Sequence, residues 1–113
     1  MRISELGTSL GIDMETAQGS YADRVISSGY SSDLLSDVMG NAKADAVLVT
    51  VQAHKNAVAV ASLVGLAAIV VCNSRPLPTD MIEAARAEGV AIFRTAATAF
   101  EVAGRLWAAL RRP

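Results

Sequence analysis

The residues able to do chemistry gather in three short clusters, and each follows an apolar run. Thr50, Gln52, His54, Lys55 and Asn56 form the first, Cys72, Asn73, Ser74 and Arg75 the second, and Arg94 and Thr95 the third. Lysine and arginine bring positive charge, while asparagine, serine and threonine bring hydrogen bonds. Free amides at helix starts would add to both, so the set suits an anion such as a phosphate or the tail of a nucleotide. The competing reading is structural. Strand exits need turn formers such as Asn73 and Ser74, and Thr95 suits a helix cap. His54 fits a cap at a helix start as well as a donor or acceptor to a ligand. Cys72 reads as a small buried hydrophobe, and Arg75 is the one candidate to activate it as a thiolate.

Catalysis finds little support. Gly40-Asn41-Ala42-Lys43 lacks the first glycine and the final hydroxyl that a phosphate-cradling G-x-x-x-x-G-K-[ST] loop requires. The dinucleotide pattern G-x-G-x-x-G is absent. His54 is the single histidine, no G-x-S-x-G elbow accompanies it, and one histidine among scattered carboxylates makes a poor catalytic metal site. The sequence therefore implies no enzyme, no cofactor and no metal. A small enzyme using His54 as acid or base ranks last.

Positioning elements follow from the apolar pattern. A helix over 2–10 stops at Gly11, and short extended segments fall at 14–17 and 24–28. Ser31 or Ser32 caps a second helix, with Asp33 near its positive end and Gly40 closing it. The β-branched run 46–51 has the character of a strand buried on both faces. A helix over 56–64 ends at Gly65, and 67–71 is a second buried strand. After the stiff Pro76-Leu77-Pro78 connector a helix begins near Thr79, where Asp80 and Glu83 have capping-box spacing, and ends at Gly89. Residues 90–93 form a third strand. Thr95 or Thr98 opens the last helix, whose apolar stripe reads Ala99, Phe100, Ala103, Leu106, Trp107 and Leu110. The aromatic residues Phe93, Phe100 and Trp107 are expected in the core or an interface.

The second half is thus β-α-β-α-β-α. That alternation predicts a single α/β domain over 1–113, layered, with a mostly parallel sheet and helices packed on it. All three polar clusters then fall at the carboxyl ends of strands, where open parallel sheets take their ligands.

Bulk composition bounds the partners. A chain of 113 residues with 52% hydrophobic residues and mean hydropathy +0.37 holds more apolar surface than one small core hides. A homodimer or larger assembly is expected. Net charge is −1 with no basic stripe, which excludes a nucleic-acid partner. The lone cysteine fits a reducing, cytoplasmic setting. The apolar stretch 57–72 is shorter than the roughly 20 residues of a membrane span, so no membrane partner is expected. The first residues read as an amphipathic helix and lack the features of a secretory signal.

The stretch Gly29-Tyr30-Ser31-Ser32-Asp33-Leu34-Leu35-Ser36-Asp37-Val38-Met39-Gly40-Asn41-Ala42 resembles the start of small standalone bacterial DRTGG-domain proteins. The resemblance continues through Val49-Thr50-Val51-Gln52-Ala53-His54-Lys55-Asn56 and Val58-Ala59-Val60-Ala61, and past Phe100-Glu101-Val102-Ala103-Gly104. Its specific part is the Ser-Asp-Leu-Leu-Ser-Asp block, and Ser31 and Asp33 join the candidate ligand-binding set. The motif behind the family's name is replaced: the Asp-Arg pair would fall near His54-Lys55 and Thr-Gly-Gly near Cys72-Asn73-Ser74. The resemblance implies an α/β fold similar to the N-terminal domains of HPr kinases and Mur ligases, dimerisation, and a regulatory or assembly role. It does not carry a kinase activity, because the kinase's P-loop belongs to a different domain.

Three functional readings follow. The leading one is a homodimeric regulatory module that binds a small anionic ligand at the strand ends. The second is a structural or interaction module without a small ligand. The third is the His54 enzyme.

Overall fold

The computed structural model describes residues 1–16 and 22–111. Its elements are α1 (Ile3–Leu10), β1 (Asp13–Met14), β2 (Ser28–Ser31), α2 (Leu35–Asn41), β3 (Ala46–Thr50), α3 (Lys55–Val64), β4 (Ala68–Val71), α4 (Thr79–Glu88), β5 (Ala91–Arg94) and α5 (Ala99–Leu110). One sheet runs in the order β1-β5-β4-β3-β2. β2, β3, β4 and β5 are mutually parallel, and β1 closes the far edge antiparallel to β5. The α/β, mostly parallel architecture expected from the alternation is the one observed.

The strand alternation decides the layers. Val47, Val49, Ala68, Val70, Ala91 and Phe93 face α1 and α5, in a core completed by Ile3, Leu6, Leu10, Val102 and Leu106. Their sequence neighbours Ala46, Leu48, Ile69, Val71 and Ile92 face the other way, against Val38 of α2, Val58 and Ala61 of α3 and Met81 and Ala85 of α4. Both faces are therefore sealed, which is why these strands read as unbroken apolar runs. Burying each large aliphatic side chain stabilises the fold by roughly 1.5–3 kcal/mol. The order β2-β3-β4-β5 advances in one direction, so right-handed crossovers carry α2, α3 and α4 onto the same face.

Helix ends follow the sequence at most termini. Gly11, Gly65 and Gly89 all take the left-handed conformation at the C-caps of α1, α3 and α4. Thr98, rather than Thr95, caps α5, in a reciprocal capping box with Glu101.

Other expectations are corrected. The segments read at 14–17 and 24–28 are displaced: the observed strands are Asp13–Met14 and Ser28–Ser31, Ala17 lies outside the described residues, and Val25 makes only an isolated bridge to Arg2. Ser31 ends β2 and caps nothing. Ser32 Oγ accepts the Leu34 amide just ahead of α2, and Leu34 itself is the N-cap. Gly40 lies within α2, which ends at Asn41. Asp80 and Glu83 form no capping box, because Pro78 occupies the N-cap of α4 and offers no side-chain acceptor. On α5 the buried residues are Val102 and Leu106, whereas Phe100 and Trp107 are 89% and 66% exposed. Apolar residues cover most of that helix's circumference, so spacing alone does not select the inward face.

Candidate ligand-binding rim

Because four strands run parallel, their carboxyl ends share one rim. Ser31, Thr50, Val71 and Arg94 are the last strand residues, and the loops leaving them carry the polar clusters. The strand order never reverses among these four, so the rim lacks the crevice that forms where crossovers diverge.

The β2 and β3 exits are knitted together. Asp33 Oδ1 accepts from Thr50 Oγ1 at 2.9 Å and from the Val51 amide at 2.8 Å. Thr50 Oγ1 accepts the Gln52 amide at 3.1 Å, and Gln52 Nε2 donates to the Asp33 carbonyl at 2.8 Å. Thr50 is fully buried, so its hydroxyl needs a partner inside the protein. Asp33, Thr50 and Gln52 thus hold the rim in shape; Asp33 stands just before Leu34, the N-cap of α2, and its Oδ1 is engaged by the β3 exit.

His54 is the N-cap of α3, its Nδ1 accepting the Asn56 amide at 3.0 Å. Lys55 opens the helix and points toward α4, with Nζ 4.0 Å from Asp80 Oδ2 and both side chains more than half exposed. The starts of α3 and α4 are therefore neighbours on the rim.

The β4 exit is a tight turn. Asn73 and Ser74 have φ of 61° and 53°, and the Arg75 amide donates to the Cys72 carbonyl. Two successive left-handed residues favour glycine at both positions. They stand where the resemblance places the two glycines of Thr-Gly-Gly. Backbone bonds from Asn73 to the Ala97 carbonyl and from Ser74 to the Thr95 carbonyl fasten the turn to the β5 exit. Arg94 clamps it from below, Nε donating to the Arg75 carbonyl at 2.9 Å and a terminal nitrogen to the Ser74 carbonyl at 2.8 Å. Thr95 is used locally, its hydroxyl accepting the Ala97 amide. Among the described residues the Arg75 guanidinium has no ion pair, and Asn73, Ser74 and Arg75 are all exposed.

Cys72 is completely buried beneath this turn, and burial pushes its thiol up, reinforced by the Asp33 carboxylate nearby. A raised thiol is a poor nucleophile, so the buried-hydrophobe reading of Cys72 holds.

The candidate residues divide accordingly. His54, Lys55, Asn56, Asn73, Ser74 and Arg75 cluster with their polar groups outward or at helix starts. Asp33, Thr50, Gln52 and Thr95 serve as framework. Ser31 turns away, lining a groove of about 350 Å³ between β2 and α5 together with Tyr30, Trp107 and Leu110. Sequence reasoning missed one polar link near the rim: Tyr30 donates to Asp37 Oδ2 at 2.8 Å, raising the phenol's pKa and lowering the carboxyl's. Their seven-residue separation, spanning a strand and a helix, gave no signal.

No protein-family model matches the sequence, and no curated protein does. Among solved structures the chain is similar to the CBS and DRTGG domains of the regulatory region of Clostridium perfringens pyrophosphatase, complexed with the activator diadenosine tetraphosphate. The TM-score is 0.70 at 10% sequence identity, over 93% of this chain and 45% of that one. The fold is DRTGG-like. The present chain spans less than half of the regulatory region it matches, and at this identity the likeness concerns architecture alone. Among the described residues, no helix is long and apolar enough to cross a membrane.

Proposed function

We propose that this chain is a non-catalytic regulatory module that works as a homodimer and binds a small anionic ligand, of the nucleotide class, on the carboxyl rim. The observation that carries this reading is the convergence, on one end of one sheet, of Lys55, Arg75 and the N-termini of α3 and α4 beside Asn73 and Ser74. Backbone amides at helix starts carry partial positive charge, Arg75 adds a full charge, and Lys55 adds one that Asp80 partly offsets. The regulatory region of similar fold was solved with a nucleotide activator, which supports the ligand class.

Against an enzyme, the Nδ1 lone pair of His54 is already committed to the Asn56 amide, and among the described residues no side chain hydrogen-bonds its other ring nitrogen. General acid–base work needs an aligned partner group. The reading without any ligand rests on the exposed Phe100 and Trp107, which serve an interaction module equally well.

Thermal melts with adenine nucleotides, pyrophosphate and inorganic phosphate test the ligand. A binder present at a hundred times its dissociation constant adds about 2.7 kcal/mol of stability. For a domain of this size that raises Tm by roughly ten degrees or more. The shift is expected in the native chain and lost in Lys55→Ala/Arg75→Ala. No shift with any of these anions, or one untouched by the double substitution, overturns the rim site.

A further inference from the structure

The outward face of α5 takes no part in the rim, and its composition is unlike that of a solvated helix. Phe100 and Trp107 lie seven positions apart, close to two full turns, so they project from the same flank. Arg111 lies over the Trp107 ring, 4.8 Å from its centroid, and holds the indole on the surface. Between the two aromatics stands Gly104, where an added Cβ would meet nothing within 4 Å. Glycine weakens a helix interior, and nothing inside this chain needs the space it leaves. Gly29 shows the contrast: a Cβ there would lie 2.6 Å from Leu106 Cδ2, so its absence serves internal packing.

The other flank carries Glu101 and Arg105, each about half exposed and 3.7 Å apart within the chain. This arrangement is complementary to itself when turned end for end. A twofold axis perpendicular to α5, passing between Ala103 and Gly104, brings a second α5 alongside in the opposite direction. Such an axis sets each flank against the same flank of the other copy. Phe100 then meets Trp107 of the second copy, and the reverse contact repeats it. On the opposite flank Glu101 comes beside Arg105 of the second copy, again twice. A parallel arrangement would instead set the Glu101–Arg105 flank of each copy against the Phe100–Trp107 flank of the other, leaving both charges without a counter-ion across the contact. Charge and shape therefore select the antiparallel partner.

We propose that α5 is the surface through which two copies of this chain associate, antiparallel about Ala103 and Gly104. The proposal rests on the homodimer reading and goes further in naming the contact. Aromatic residues and arginine are enriched at protein interfaces, and α5 presents Phe100 and Trp107 on one flank and Arg105 on the other. The groove between β2 and α5 adjoins the aromatic flank, and Trp107 and Leu110 form one wall of it.

Sedimentation equilibrium of the full chain at micromolar concentration is expected to give twice the 11.7 kDa chain mass. Gly104→Gln is expected to weaken the dimer at least tenfold while keeping the helical circular dichroism, because a Cβ added at this exposed position meets nothing within its own chain. Gly104→Cys is expected to form a covalent dimer under mild oxidation, since position 104 sits beside its own copy on the axis. The buried Cys72 stays silent, and Gly40→Cys, equally open but on α2, is the control that does not crosslink. A native dimer that survives Gly104→Gln, with Gly104→Cys crosslinking no better than Gly40→Cys, overturns this surface and leaves the homodimer reading intact. A native chain that is monomeric throughout overturns both, including the case in which α5 docks a different protein. The rim site is read separately, by the ligand-induced melting shift.

Discussion

The two ends of the sheet are built from the same strands and helices and have opposite chemistry. At the amino end, α3 and α4 terminate in left-handed glycines, and their surplus is carbonyl oxygen. One cation closes that end. Arg24 Nε donates to Asp45 Oδ1 at 3.1 Å and a terminal nitrogen to the Gly65 carbonyl, tying β2's approach to β3 and to the end of α3. At the carboxyl end the same helices begin, and the surplus is donors. There Arg94 is spent on the Ser74 and Arg75 carbonyls and Lys55 lies 4.0 Å from Asp80, while Arg75 has no ion pair among the described residues. A βα repeat always has this polarity. The proposed site lies at the donor-rich end.

Five variants break or sharpen the contrast, all read by urea unfolding. Asp33→Ala should have the largest effect, about 2–3 kcal/mol lost, because it strips the fully buried Thr50 hydroxyl of its acceptor and frees the Val51 amide. Asp33→Asn keeps an oxygen in place and should lose less. Arg24→Ala at the opposite end should cost about 1–2 kcal/mol, the partial exposure of both partners reducing the value of the ion pair. Ser74→Gly should gain about 0.5 kcal/mol, since relief of a left-handed serine outweighs the glycine's added freedom in the unfolded chain. Lys55→Ala/Arg75→Ala should change stability by less than about 0.5 kcal/mol, as exposed side chains do, while abolishing the melting shift with anions. A double substitution as costly as Arg24→Ala would mean that the carboxyl-end cations are structural after all.

The central strands and the glycine-ended helices were legible because their causes are local. Ala46–Thr50 and Ala68–Val71 are buried at every position, and apolar throughout except Thr50, since both faces of the sheet are covered, and a left-handed C-cap almost dictates glycine. β2 was not legible. Ser28-Gly29-Tyr30-Ser31 has no apolar alternation; it is a strand because β3 offers a parallel partner and because Gly29 lets Leu106 pack against it. Missing β2 moved the helix start onto Ser31 and Ser32. The register of α5 was legible in part: Leu106 faces the core with Ala99 and Leu110 packed against it, but Phe100 and Trp107 on the solvent side mimic a core stripe, and the inward choice of Val102 depends on tertiary contact. Within the rim, residue types showed where polar groups gather. They did not show which were already engaged. Asp33, Thr50 and Gln52 bond across elements 17 to 19 residues apart, a pairing that no local pattern encodes.

The proposed ligand site is tested most directly by following the backbone amides of the isotope-labelled chain while an adenine nucleotide is titrated in. The largest shifts are expected at 52–56 and 73–75 and at the start of α4, with the amino-end residues Arg24, Asp45 and Gly65 unmoved. Shifts concentrated instead along β2 and α5, or spread evenly over the sheet, would contradict it.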